Sequence, residues 1–187
     1  MPSLLALHGA GRDETDLAEF AAAIAPDLSL LAPRGAYPEG QGFTFFRRRP
    51  DRSLDAPAIL SVASDWLASR SDLPKAPALL IGYSSGAIFA EALIASAPGR
   101  FAGAILMRPK PLAAEFLFPP LMGLPVLILA GRHDPRRRSE DAPLLTRQLS
   151  AAGARVDGHM LDCGHGWAPE DQDVILSRAW RQRQRAG

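Results

Sequence analysis

The stretch ALLIGYSSGAIFAEAL, Ala78 to Leu93, sets an apolar run against a tight turn of small residues and then a helical pattern. ALLI before the turn reads as a buried strand, and GAIFAEALIASA after it as an Ala-rich amphipathic helix. Between them GYSSG fits G-x-S-x-G in one register only, with Gly82 and Gly86 flanking Ser84. A strand that turns sharply into a helix strains its central residue, and glycines on both sides remove the side chains that would collide there. In a chain with 16 glycines the pattern alone is weak. The strand, turn and helix around it make Ser84 the candidate nucleophile, against the plainer reading of two serines that only cap a helix.

Outward from that turn the same grammar repeats. Short apolar runs bounded by Gly or Pro begin at Leu4 (LLAL), Leu28 (LSLLA), Gly103 (GAILM), Pro125 (PVLILAG) and Arg155 (RVDGHML), and each reads as a strand. Helical spacing is expected over Asp13 to Ile24, Ala56 to Ser69, Ser85 to Ala97, Glu140 to Ala152 and Pro169 to Trp180. Leu17, Phe20, Ala21 and Ile24 fall on one face of the first, with acids in its first turn. Strands alternating with helices mean βα units, and apolar runs without alternation mean a sheet covered on both faces. The fold class is therefore α/β, with a mostly parallel sheet of about six strands and helices on both faces. RVDGHML alternates less cleanly and is expected at the outer edge.

The chain of 187 residues, 47% hydrophobic, has the size of one domain, and residues 1–187 are read as such, with RQRQRAG at 181–187 as a frayed basic tail. Twenty-one basic and 20 acidic residues give a net charge of +1, so no overall field gathers nucleic acid or an anionic membrane. The N-terminal apolar run is too short for a bilayer span and lacks a basic region before it, so neither a signal peptide nor a membrane anchor is expected. A single cysteine, Cys163, excludes an internal disulfide framework and fits a cytoplasmic location. No cofactor or metal is called for, and the expected partner is a small-molecule ester. The oligomeric state is left open, a homodimer included.

A serine hydroxyl needs a base within hydrogen-bond reach, itself oriented by a third group, and on such a sheet the chain order is Ser, then Asp or Glu, then His. His165 in LDCGHGW lies on a Gly-flanked loop after the last strand, where a side chain can swing to the mouth of the sheet. His159 lies within that strand, and His8 and His133 read as structural. Asp134 follows the buried strand of VLILAGRHDP and is the natural orienting acid. Asp157 and Asp162 sit too near His165 along the chain and read as solvated. For a tetrahedral intermediate, two backbone N–H groups must converge. Ser85 supplies one from the helix start, and Ala10 in LHGAG supplies the other.

Taken in order, LHGAG, GYSSGA, AGRHDP and GHGW resemble the α/β-hydrolase superfamily, and most closely its small carboxylesterases grouped with phospholipases and acyl-protein thioesterases. LAPRG, FTFFRR and ILMRPKP extend the likeness almost end to end. The resemblance implies a serine hydrolase with Ser84, Asp134 and His165 as triad, Ala10 and Ser85 as oxyanion donors, and a reduced sheet without two extra N-terminal strands. Relatives of this kind tend to carry apolar and proline residues after the acid, whereas here PRRRSE places Arg136, Arg137 and Arg138. These are read either as a solvated helix entrance or as a cationic rim favouring an acidic substrate. Cys163 stands where glycine is common and reads as a small buried support. With no large cap domain, the pocket walls fall to the irregular segments Pro33 to Pro57 and Arg108 to Leu124, with Phe43, Phe45, Phe46, Met107 and Pro109 as candidates. Phe45 and Phe46 serve equally well as anchors to the core. The expected function is hydrolysis of carboxylic esters or thioesters through an acyl-enzyme. A ligand-binding or sensing protein with little turnover, and an acyltransferase using the same residues, remain as alternatives.

Overall fold

The computed structural model describes residues 3–73 and 77–186. Its strands are β1 (Ser3–Leu7), β2 (Ser29–Leu31), β3 (Tyr37–Glu39), β4 (Gly42–Thr44), β5 (Ala78–Tyr83), β6 (Phe101–Met107), β7 (Pro125–Gly131) and β8 (Arg155–Leu161). The helices are α1 (Ala18–Ile24), α2 (Ala56–Ser69), α3 (Ser85–Ser96), α4 (Asp141–Ala151) and α5 (Gln172–Ala186). Six strands form one parallel sheet in the order β2-β1-β5-β6-β7-β8, and β3 pairs with β4 as a separate antiparallel hairpin.

Side chains alternate faces along a strand, and here both faces are apolar because each has its own helices. Leu5, Leu7, Leu80, Leu106 and Ile128 join one buried cluster with Ile59 of α2, Phe89 of α3 and Leu145 of α4. Their neighbours Leu4, Ala6, Ile81, Ile105 and Leu129 join the other, with Phe20 and Ile24 of α1 and Trp180 of α5. This explains the unbroken apolar runs. At the edge, β8 is half exposed, as its imperfect alternation led us to expect.

The strand order reverses between β1 and β5: the chain leaves β1 for β2 on one side and returns through β5 on the other. In open α/β sheets such a switch point, at the carboxyl ends of the strands, is where a crevice forms. Ser84 and the loop after β1 both lie there.

Three expectations need correction. Helix α1 starts at Ala18, because the Asp13 carboxylate accepts hydrogen bonds from the Thr15 amide (2.9 Å) and hydroxyl (2.6 Å) and holds the preceding residues in a turn. The segment at 33–57 contains the β3–β4 hairpin. The basic end is helical and not frayed: α5 runs to Ala186, with Arg181 and Arg185 on Asp27 and Arg183 on Asp157. Gly187 lies outside the described residues. Among the described residues no helix is long and apolar enough to cross a membrane.

Candidate active site

Ser84 sits between β5 and α3 with φ 56° and ψ −110°, a strained conformation for a residue with a side chain. Its amide donates to the Met107 carbonyl at 2.9 Å. The two flanking glycines are needed for space. A Cβ on Gly82 would meet the Gly86 carbonyl oxygen and the Ala87 backbone, and one on Gly86 would overlap the Leu7 and His8 carbonyls at the end of β1. The start of α3 can therefore press against β1, which brings the loop Gly9–Ala10 beside the serine. A Cβ on Gly9 would lie 3.7 Å from Cβ of Ser84.

That loop is propped from behind. His8 is buried, its Nε2 accepting from the Gly35 amide at 2.9 Å and its Nδ1 lying 2.8 Å from the Gly9 carbonyl, which makes the Nδ1–H tautomer the consistent one. The Gly11 amide donates to Phe43 O (3.0 Å) and the Phe43 amide to Arg12 O (2.8 Å), so the β3–β4 hairpin clamps the same turn. Ala10 itself is exposed. Ser85, as the first residue of α3, has an amide with no acceptor within the helix, while its buried hydroxyl has no hydrogen-bond partner among the described residues.

Asp134 and His165 arrive on the loops after β7 and β8. Main-chain bonds continue the pairing of those strands, from Arg132 N to Leu161 O (2.8 Å) and from His133 N to Cys163 O (3.0 Å). Gly131 permits the close approach, since a Cβ there would overlap the Gly164 carbonyl. The Asp134 side chain is 1% exposed; one oxygen accepts from the Arg136 amide at 2.8 Å, and the other lies 2.6 Å from His165 Nδ1. His165 Nε2 lies 2.8 Å from Ser84 Oγ. With Nδ1–H directed at the carboxylate, Nε2 is free to accept the serine proton. Burial pushes the imidazole below its ordinary value; the hydrogen bond to Asp134 opposes this, and the charges of Arg137 and Arg136 add to it.

The histidine loop is strapped down by residues that the motif reading did not single out. Tyr83 donates its hydroxyl to the His165 carbonyl at 2.6 Å and stacks on Trp167. Arg108, next after β6, is 1% exposed and pairs bidentately with Asp173, 2% exposed, through Nη1 and Nη2, both at 2.9 Å. Its Nε and Nη2 also donate to the Gly166 carbonyl at 3.2 and 2.8 Å, and Asp173 accepts from the Ala168 amide at 2.7 Å. Residues 166–168 are thus tied to a buried ion pair. The arginine directly after the apolar run in ILMRPKP was the available signal.

Other candidates fall outside the site. His133 and Asp162 form an exposed pair, and His159 lies by Asp157 on β8. Phe45 and Phe46, each 2% exposed, pack on Phe89 and anchor the loop to the core, and Met107 is fully buried in the opposite cluster. These three are not pocket walls. Phe43 is half-buried under Arg34. Pro109 does line a cavity of about 230 Å³ that also touches Asp134, Arg137 and Ser139. Cys163 is buried, and burial pushes its thiol upward, as suits a packing residue. Among the described residues no cluster of three or more His, Cys, Asp or Glu is arranged to hold a metal ion.

Residues 22–185 match the dienelactone hydrolase family. The chain belongs to that family. Its fold is that of the α/β hydrolases, in a small form without a large cap. Within the family's breadth it is 33% identical over 168 residues to the putative hydrolase MhqD of Bacillus subtilis (strain 168), covering 87% of this chain and 84% of that one. Solved structures similar to it include a carboxylesterase of Bacillus cereus (TM-score 0.87, 28% identity, 98% of this chain and 88% of that one). A carboxylesterase from Mesorhizobium loti is similar as well (TM-score 0.81, 33% identity, 97% and 88%). This member of the dienelactone hydrolase family is a hydrolase, and solved structures similar to it include carboxylesterases.

Proposed function

We propose that this hydrolase cleaves carboxylic esters, thioesters included, through an acyl-enzyme on Ser84. The observation that carries the reading is the continuous chain from Ser84 Oγ to His165 Nε2 (2.8 Å) and from His165 Nδ1 to Asp134 (2.6 Å). His165 takes the proton as Ser84 Oγ attacks the ester carbonyl, and Asp134 holds the tautomer and stabilises the imidazolium. The developing oxyanion is received by the amides of Ser85 and Ala10. Collapse of the tetrahedral intermediate breaks the bond to the leaving oxygen or sulfur, which His165 protonates. Water, deprotonated by the same imidazole, then attacks the acyl carbon and restores Ser84. The enzyme needs no cofactor or metal in this scheme and acts on small esters in the cytoplasm.

A depressed His165 pKa supports the base role, because the imidazole stays neutral at physiological pH. Steady-state hydrolysis of p-nitrophenyl butyrate tests the reading. Turnover by the wild type and its loss, by about 10⁴-fold or more, in Ser84→Ala is the expected result. Stoichiometric binding of esters without turnover would mark a sensing protein instead.

A further inference from the structure

The three arginines after Asp134 separate in the fold. Arg136 and Arg138 are exposed, whereas Arg137 turns inward and is half-buried. Its Nε donates to the carbonyls of Arg108 and Pro109, both at 2.9 Å, and its Nη1 to the carbonyl of Arg136 at 2.9 Å. Main-chain oxygens of two loops therefore fix the planar guanidinium in place. The remaining nitrogen, Nη2, faces Ser84 Oγ at 3.4 Å.

Arg137 forms no ion pair among the described residues. The acids whose fields reach it are otherwise engaged: Asp134 by His165 and the Arg136 amide, and Asp141 by the Arg138 amide. Glu91 is fully buried, burial pushes its carboxyl well above its ordinary value, and it forms no ion pair with Arg137 among the described residues. Burial also pulls the Arg137 guanidinium down, with Arg48 adding repulsion, yet an arginine stays protonated. A partly desolvated cation without a counter-ion is costly. It is also preorganised to receive an anion from outside.

Its position says which part of a substrate meets it. Ala10 follows β1 and Arg137 follows β7, and the sheet order places these strands on opposite sides of β5, whose end carries Ser84. Arg137 therefore stands on the side of Ser84 away from Ala10, where a part of the substrate other than its oxyanion meets it. Resting on the hydrolase reading above, we propose that Arg137 is a specificity determinant for esters whose acyl part carries a carboxylate close to the scissile carbonyl, the half-esters of short dicarboxylic acids. Hydrolysis releases the alcohol and leaves the dicarboxylate.

The test compares monoethyl succinate with its apolar isostere ethyl 4-methylpentanoate, in a pH-stat, for the wild-type chain, Arg137→Gln and Arg137→Val. A charge-assisted hydrogen bond to the carboxylate corresponds to roughly 10- to 100-fold in kcat/KM. The wild type is expected to prefer the half-ester by at least about tenfold, Arg137→Gln to lose that ratio, and Arg137→Val to invert it. A wild type that hydrolyses the isostere with no preference for the half-ester overturns the substrate class while leaving the hydrolase reading intact, and this result does not depend on any variant folding. Equal losses on both substrates in Arg137→Gln also overturn it, assigning the guanidinium to the transition state at large. Hydrolysis of neither ester removes the hydrolase reading and this proposal with it.

Discussion

The buried pair Arg108–Asp173 offers a test that separates holding the fold from holding His165. Both side chains are almost completely inaccessible, 1% and 2% exposed, and Asp173 accepts three hydrogen bonds, from Arg108 Nη1 and Nη2 and from the Ala168 amide. Asp173→Ala leaves a guanidinium buried without a counter-ion. Losses of about 3–5 kcal/mol are typical of such a break, which for a chain of this length is a fall in Tm of roughly 6–20 °C. Replacing both partners by apolar residues of similar volume, as in Arg108→Met with Asp173→Leu, removes the stranded charge, and such exchanges are often neutral in stability. The same double variant removes the two guanidinium bonds to Gly166 O, the residue after His165, so the base is held less tightly. We expect urea unfolding to show most of the stability restored in the double variant. Its kcat on p-nitrophenyl butyrate should stay about 10- to 100-fold below wild type with KM little changed, since small displacements at a reacting group cost rates of that order. Wild-type kcat in a stable double variant would refute the positioning role. An Asp173→Ala protein within about 1 kcal/mol of wild type would refute the energetic reasoning itself.

Other outcomes follow from the same geometry. Because His165 must be neutral to act and its pKa lies below the ordinary imidazole value, kcat/KM should fall with decreasing pH at a midpoint under about 6.5. A midpoint above that value would contradict the environment described. Arg137 is one of the charges that depress this pKa, so Arg137→Gln should move the midpoint upward on a neutral ester. Gly86→Ala drives a Cβ into the Leu7 and His8 carbonyls, and a loss of about 1–3 kcal/mol or more is expected, with activity falling as the Gly9–Ala10 loop shifts. Tyr83→Phe deletes the hydroxyl that holds the His165 carbonyl and should lower kcat several-fold with Tm nearly unchanged, a result readable by calorimetry beside steady-state kinetics.

That Ser84, Asp134 and His165 would lie within hydrogen-bond reach of one another was legible in the sequence, because each follows an apolar run at a point where glycine or a loop frees its side chain. Periodicity carried the sheet as well, since burial on both faces leaves unbroken apolar runs. What escaped depended on contacts distant in sequence. Strands β3 and β4 have three residues each, too few to express a period of two. The helical end of α5 is held by Asp27 and Asp157, more than a hundred positions away for Asp27, and no local pattern reports that. Phe45 and Phe46 looked equally suited to a pocket and to a core, and Phe89 on α3 decides for the core. Three consecutive arginines give no hint of which turns inward, because the carbonyls that capture Arg137 include those of Arg108 and Pro109 on another loop.

The central claim is that Ser84, and not its neighbour Ser85 or the buried Cys163, carries the acyl group. Labelling of the wild-type chain with a fluorophosphonate, followed by peptide mapping in a mass spectrometer, tests it most directly. One adduct on Ser84, absent in Ser84→Ala and retained in Ser85→Ala, is the predicted result; an adduct on Ser85 or Cys163, or undiminished labelling of Ser84→Ala, would contradict it.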